Sequence, residues 1–296
     1  MELRNLTTFI HVADLGSFTK AAEKLGYSQS TVSFQIKQLE EELGCPLFER
    51  INHTISLTQQ GHALVSHAHQ VCNLIEDFKE GLETETELRG HIHIVTPDSI
   101  CEEMVNSRFL DFHRRYPSLF IQFSTGDTAD MLDMIDHNEA DFIITLDSHT
   151  YHKDYVIAKE EKIPMHFVAN PQSRFAGKAN LSVNDIIGQP FILTEHGQGY
   201  RKLLDRELAK RSLEITPVLE IGRTDTITSL ITQCDMLSFL PDFVTKPFVE
   251  AGKLCYLDVQ DFHADIWKQL IYHKNKWISR SLKAFIAYVK AEEFSN

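Results

Sequence analysis

Cationic charge is scarce in this chain: 29 Lys and Arg stand against 42 Asp and Glu, for a net charge of −13 over 296 residues. That balance, with a pI near 5.6, excludes a broad basic coat and any partner held by a long-range positive field. Long apolar runs are missing too. None approaches the roughly 18 residues of a membrane span, and nothing at the N-terminus reads as a signal peptide, so a soluble cytoplasmic protein is expected. Cysteine is thin. Cys45, Cys72, Cys101, Cys234 and Cys255 are scattered with no CxxC pair, which argues against a disulfide framework and for reduced thiols. GxSxG, HExxH, a P-loop and Cys/His pairs at catalytic spacing are all absent, so no enzyme and no cofactor is expected.

What is present concentrates in residues 17–40, SFTKAAEKLGYSQSTVSFQIKQLE. Ser17 is suited to cap a first helix, Ala21, Ala22 and Leu25 give it a compact apolar stripe, and Gly26 supplies the left-handed turn that ends it. Ser28 or Ser30 can cap a second helix, in which Val32, Ile36, Leu39 and Leu43 recur at steps of 4, 3 and 4 as one buried face. Turning about 100° per residue from Val32 places Ser30, Phe34, Lys37 and Glu41 on the far side, flanked by Thr31, Ser33 and Gln38. Two helices with a short turn and a polar outer face on the second form a helix-turn-helix, whose second helix enters the major groove of DNA. Phe34 is the odd member, an aromatic placed to touch thymine methyls and sugars or a partner surface.

The surrounding stretch, residues 1–61, resembles the N-terminal winged helix-turn-helix of the LysR-type transcriptional regulators along its whole length. Matching positions include Leu6, Phe9, Ala13, Gly16, Phe18, Ala21, Ala22, Leu25, Ser28, Ser33, Ile36, Leu39, Gly44, Leu47, Arg50, Thr58 and Gly61. The resemblance implies that double-stranded operator DNA is the partner. It is read by Gln29, Ser30, Thr31, Ser33, Phe34, Lys37 and Gln38, with Arg50 and His53 on a wing between two short strands. This chain departs from the pattern in placing Phe34 where relatives carry a polar group, and in a wing, INHTIS, poor in cations. Residues 1–60 hold five cations and seven carboxylates, a net −2. Recognition must lean on local donors and helix N-termini, and two subunits are needed for useful affinity.

Beyond the wing, Thr58 can cap a long helix to about Leu88. Leu64, Ala68, Val71, Ile75, Phe78 and Leu82 follow the 3.5-residue period of a coiled-coil seam, so this helix is expected to pair with its copy in a dimer. His62, His67 and His69 near its start do not share a face at metal-binding spacing. Residues 83–90 read as a hinge. Strand and helix signals then alternate: a strand HIHIVT, a helix 99–116, LFIQFS, a helix 128–137 and ADFIITL, followed by a second set from MHFVAN to MLSFLP, a strand 266–272 and a final helix 279–293. Such alternation argues for parallel sheet with crossover helices.

The overall expectation is therefore α/β, with an all-α winged helix-turn-helix at 1–58, a linker helix at 59–89 and a two-lobed effector domain at 90–296. The resemblance implies a periplasmic-binding-protein-like fold for that domain, with lobe I at 90–162 and 264–296 and lobe II at 163–263. Ligands in such sheets sit at strand carboxyl ends. That rule picks Thr96, Asp98, Ser99, Asp127, Thr128 and Thr145 from lobe I, and Thr194, Arg223 and Thr224 from lobe II. Arg223 is suited to clamp a carboxylate and Asp98 to receive an amine, and a small anionic or zwitterionic effector is expected. Cys234-Asp235 replaces the glycine pair usual in the turn before FLPDFV. The resemblance further implies a dimer of dimers and RNA polymerase as a partner. An alternative function is a redox- or metal-responsive regulator using Cys101, Cys234 or Cys255 with histidines such as His91 and His93.

Overall fold

The computed structural model describes residues 1–51, 54–80 and 88–294. The head is built from α1 (Leu3–Leu15), α2 (Phe18–Leu25), α3 (Gln29–Leu43) and a two-stranded ribbon, β1 (Phe48–Ile51) with β2 (Thr54–Leu57). Its punctuation follows the local chemistry. The Ser17 hydroxyl accepts from the Lys20 amide at 3.3 Å and the Ser28 hydroxyl from the Thr31 amide at 3.1 Å, so each serine satisfies an orphan amide of a first turn. Gly26 then ends α2 with φ at 68°, a conformation that costs glycine nothing. The core gathers Phe9, Phe18, Ala21, Val32, Ile36, Leu39 and Leu47.

The buried face of α3 differs from its sequence pattern at two positions. Leu43 is 41% exposed, because the helix has run past the head's core by its last turn. Gln35 is buried instead, its Oε1 accepting from the Thr8 hydroxyl of α1 at 2.7 Å. A pair of polar side chains that satisfy each other can occupy a core position at little cost.

Helix α4 (Gln59–Glu80) follows, with Thr58 as its cap: the Thr58 hydroxyl accepts from the Gly61 amide at 3.0 Å and donates to the Pro46 carbonyl at 2.8 Å. Its first half is not free for a partner. Ala68 is buried in the head's core, with Leu64, Val65 and Cys72 packed against it. Val71, by contrast, is 40% exposed. The Phe78 side chain, Leu82 and residues 83–87 lie outside the described portion.

Among the described residues of the C-terminal part, the main sheet has the order β10-β6-β11-β5-β3-β4, with β9 also on β6. The strands are β3 (Gly90–Thr96), β4 (Leu119–Thr125), β5 (Phe142–Asp147), β6 (Tyr155–Ala169), β9 (Ser238–Pro241), β10 (Cys255–Tyr256) and β11 (Asp265–His273). Parallel pairing holds for β3 with β4 and with β5. The sheet is nonetheless mixed, because β11 returns antiparallel between β5 and β6. Long β6 is shared: Tyr155–Pro164 pairs with β11, and Met165–Ala169 pairs with β9 and β10. That change of partner curls the sheet into two lobes. A second, small sheet pairs β7 (Ile192–Leu193) with β8 (Leu219–Glu220).

The expected helix 99–116 is two helices, α5 (Asp98–Met104) and α6 (Ser107–Arg115). Asn106 breaks the run and caps α6, its side-chain oxygen accepting from the amides of Arg108 and Phe109. The other helices are α7 (Thr128–Asp136), α8 (Val183–Ile186), α9 (Gly199–Ala209), α10 (Thr224–Ile231), α11 (Asp242–Glu250) and α12 (Arg280–Glu292). One apolar core passes through both lobes, from Ile92, Phe112 and Phe285 through Leu146 to Phe191 and Phe239. No described helix is long and apolar enough to cross a membrane.

Candidate functional sites: a helix face and an inter-lobe cleft

The outer face of α3 carries Gln29, Ser30, Thr31, Phe34, Lys37 and Gln38, all exposed, with Ser33 half-buried. Phe34 is 60% exposed, so it contributes nothing to the head's core. Ser28 bonds to the hydroxyls of both Ser30 and Thr31 at 2.8 Å, which fixes the start of the face. Lys37 has its charge partly answered by Glu41 at 3.5 Å. The wing is anchored from the same helix, since Glu40 accepts from the amides of Leu47 at 2.7 Å and Phe48 at 3.3 Å. Arg50 lies on β1, its side chain outside the described portion, and His53 lies outside it altogether.

The second site is a cavity of about 380 Å³ between the lobes. Six residues picked from the sequence line it: Asp98, Ser99, Asp127, Thr128, Arg223 and Thr224. Thr96, Thr145 and Thr194 do not. Thr96 and Thr145 are fully buried, and neither hydroxyl has a hydrogen-bond partner. The lining also includes residues without any local sequence signal. Tyr200, on α9 and 4% exposed, lies against Ser99 of the other lobe, with the two hydroxyl oxygens 2.5 Å apart. Burial pushes its phenol well above the usual range. Gln198 donates to the Gly222 carbonyl at 2.8 Å, tying two loops of the second lobe together. Gly199 is required where α9 meets β5: a Cβ there would stand 1.9 Å from the Leu146 carbonyl oxygen.

Arg223 is the cleft's one cationic lining side chain among the described residues, and it is already engaged. Its guanidinium donates to Glu102 at 2.7 Å and to Asp225 at 2.8 Å and 3.1 Å, with Asp98 at 3.7 Å. The hydrogen bond from Arg223 holds the Asp225 carboxyl below its ordinary range. Glu102 is pushed up, first by burial and then by Asp225 and Asp98, with Arg223 opposing. The guanidinium expected to clamp a carboxylate ligand is thus holding carboxylates of its own chain.

The arrangement is a helix-turn-helix head joined by a long helix to a two-lobed domain with a cleft. Residues 3–62 match the bacterial regulatory helix-turn-helix protein, lysR family, and residues 85–293 match the LysR substrate binding domain. The chain belongs to the LysR family. It is a DNA-binding transcriptional regulator, not an enzyme. A LysR relative of Bacillus subtilis, the uncharacterized HTH-type transcriptional regulator YwqM, is 30% identical over 291 residues, spanning 97% of each chain. The HTH-type transcriptional activator CmpR of Synechocystis is 26% identical, covering 98% of this chain and 95% of its own. A full-length OxyR from Pseudomonas aeruginosa, solved with one cysteine replaced by aspartate, has the same fold. Its TM-score is 0.67 at 19% identity, over 98% of this chain and 95% of that one.

The cysteines and histidines of the alternative reading are placed for packing. All five thiols are half-buried and unbridged, and burial raises those of Cys101 and Cys255, which disfavours the reactive thiolate. His91 and His93 do share a strand face, stacked with ring centroids 6.2 Å apart. Both ring nitrogens of His93 are taken, however, by the Glu139 carbonyl at 2.7 Å and the Ser124 hydroxyl at 2.8 Å. Among the described residues, no group of three or more His, Cys, Asp or Glu could hold a metal.

Proposed function

We propose that this LysR regulator is a cytoplasmic, effector-controlled switch in which a small molecule seated in the inter-lobe cavity changes how paired heads engage an operator. The observation that carries this reading is the cavity of about 380 Å³ lined from both lobes, since a ligand touching both can favour one relative arrangement over another. Ser99–Tyr200 and Arg223–Glu102 already bridge the lobes there, and a ligand would compete with or complete such contacts.

On the DNA side, Gln29, Ser30, Thr31, Ser33, Phe34, Lys37 and Gln38 read the major groove, with Arg50 and His53 on the wing. The domain limits that go with this reading are 1–58, 59–89 and 90–296. Dimerisation through α4 draws on its second half, where Val71 is 40% exposed, since Leu64 and Ala68 are spent on the head. Assembly as a dimer of dimers and contact with RNA polymerase complete the scheme. Footprinting of the full chain on DNA upstream of its own gene is expected to show two half-sites about one helical turn or a multiple apart. A folded oligomer that protects no DNA there or upstream of the adjacent gene overturns the reading. Val71→Lys is expected to shift the oligomer towards smaller species in light scattering.

A further inference from the structure

We propose that the inter-lobe cleft takes a cationic aliphatic amine, a small ligand with one or two ammonium groups on a short methylene chain. This rests on the reading of the cleft as the effector site and names the ligand class.

Three carboxylates line the cavity from both sides: Asp98 and Asp127 from the first lobe, Glu195 from the second. The Glu195 carboxylate makes no hydrogen bond or ion pair with any described residue, and neither does Asp127 Oδ2; the built Cβ of Gly197, across the cleft, would lie 3.9 Å from that oxygen. Asp98 Oδ2 accepts no hydrogen bond, although the Arg223 guanidinium lies 3.7 Å from it. Against these the cleft offers the Arg223 guanidinium, which Glu102, Asp225 and Asp98 surround. Two of those carboxylates reach it from the opposite lobe. A ligand carboxylate would have to displace groups tethered at high effective concentration, and the displaced carboxylates would then face one another.

Helix N-termini could favour an anion, but at two of those around the cleft the chain has supplied its own carboxylate. Asp127 takes the Asp130 amide at the start of α7 at 2.9 Å, and Asp225 takes the Thr226 amide at the start of α10 at 2.7 Å. What remains is acceptor capacity that no described residue of the chain takes up. Thr224 adds to it: this side chain lines the cavity, is 3% exposed, and its hydroxyl makes no hydrogen bond with a described residue. An ammonium offers three donors and a positive charge to such a set of oxygens, while Met131 and Leu146 give the methylene chain an apolar wall. Glu102 is pushed up first by burial and only then by Asp225 and Asp98, with Arg223 opposing.

The test is calorimetric titration and thermal melting of the full-length protein with four four-carbon probes: 1,4-diaminobutane, n-butylamine, succinate and 1,4-butanediol. The amines are expected to bind once per chain and at least tenfold tighter than the diol, with affinity falling as salt rises. Glu195→Gln and Asp127→Asn both keep the side chain's shape, and the amide oxygen that the second introduces can still cap α7. Each is expected to weaken the diamine tenfold or more without lowering the melting temperature of the free protein. Tighter binding of succinate, no binding of either amine, or amine binding indifferent to both substitutions overturns the proposal. Succinate binding that shifts operator affinity would leave the cleft standing as the effector site while the ligand class falls. Amine binding at the cleft with operator affinity unchanged would uphold the ligand class and overturn the effector reading.

Discussion

The hydroxyl of Ser99, at the start of the first lobe's α5, lies 2.5 Å from the phenol oxygen of Tyr200 on the second lobe's α9, and both side chains are buried. This bond spans 101 residues of sequence and joins the two lobes at the cavity wall. Removing one partner leaves the other oxygen buried without its bond, which costs about 1–3 kcal/mol, whereas removing both costs less than the sum. Tyr200→Phe and Ser99→Ala are each expected to lower unfolding stability by that order. The double variant should recover part of the loss in a denaturant-melt cycle; strict additivity would show that the two hydroxyls are not coupled.

Phe34 yields the opposite kind of prediction. An aromatic 60% exposed on the outer side of α3 supports no core packing, so Phe34→Ala should change stability by no more than about 0.5 kcal/mol. Its effect should appear in selection from randomised DNA, as a relaxed preference at one or two base pairs with the rest of the half-site retained. A profile identical to that of the parent protein would remove Phe34 from the readout.

These two residues also mark what can be read from sequence. Phe34, Ser17, Ser28 and Gly26 are legible because helix periodicity and capping chemistry are local, acting within a few residues. Tyr200 is not, since its partner Ser99 is distant in sequence and nothing in GQGYRKLL distinguishes a cleft tyrosine from a core one. Gln35 is hidden similarly: an amide buried against Thr8 has the same sequence pattern as one in solvent. The first part of β6, YVIAKEEKIP, does not read as a strand because its charges run together. Yet β11 pairs with it along its whole length. Thr96, Thr145 and Thr194 are hydroxyls at strand ends, and the strand-end rule does not say which face of a strand opens on the cleft.

Two glycines of the head separate steric need from backbone need. Gly26 has φ at 68° with nothing within 4 Å of a built Cβ, so Gly26→Ala should cost about 1–2 kcal/mol from the left-handed backbone alone. At Gly61 a Cβ would stand 2.2 Å from the Leu47 carbonyl oxygen and 2.9 Å from a Leu57 methyl. Backbone must therefore move where the wing meets α4, and overpacking of that kind costs about 1–3 kcal/mol. Gly61→Ala is expected to change chemical shifts at both Leu47 and Leu57 and to weaken operator binding. Gly26→Ala should leave those wing shifts unchanged. Equal wing perturbation by both would refute the distinction.

Acidification should loosen the fold before the carboxylates titrate. His11, His166 and His273 are all held below the usual imidazole range, with burial the first cause in each. His11 Nδ1 is also buried without a hydrogen-bond partner, so no acceptor waits to welcome a proton there. The unfolded chain takes up protons near pH 6.5 that the folded chain refuses, so stability from these groups is complete above that pH and declines as pH falls below it. Each full unit of depression is worth at most about 1.4 kcal/mol, and less where solvent screens the ring. Asp154, Asp185 and Asp225, all lowered, lose their contribution only further down, below about pH 4. Glu102 and Glu293, both raised by burial first, act in the reverse sense, favouring the folded state as pH falls towards their unfolded range. The diagnostic is accordingly a difference between proteins. Urea melts at pH 7.5 and 5.5 should show a smaller loss on acidification when all three histidines are replaced by Gln than in the parent. An equal loss in both would assign the acid sensitivity to other groups.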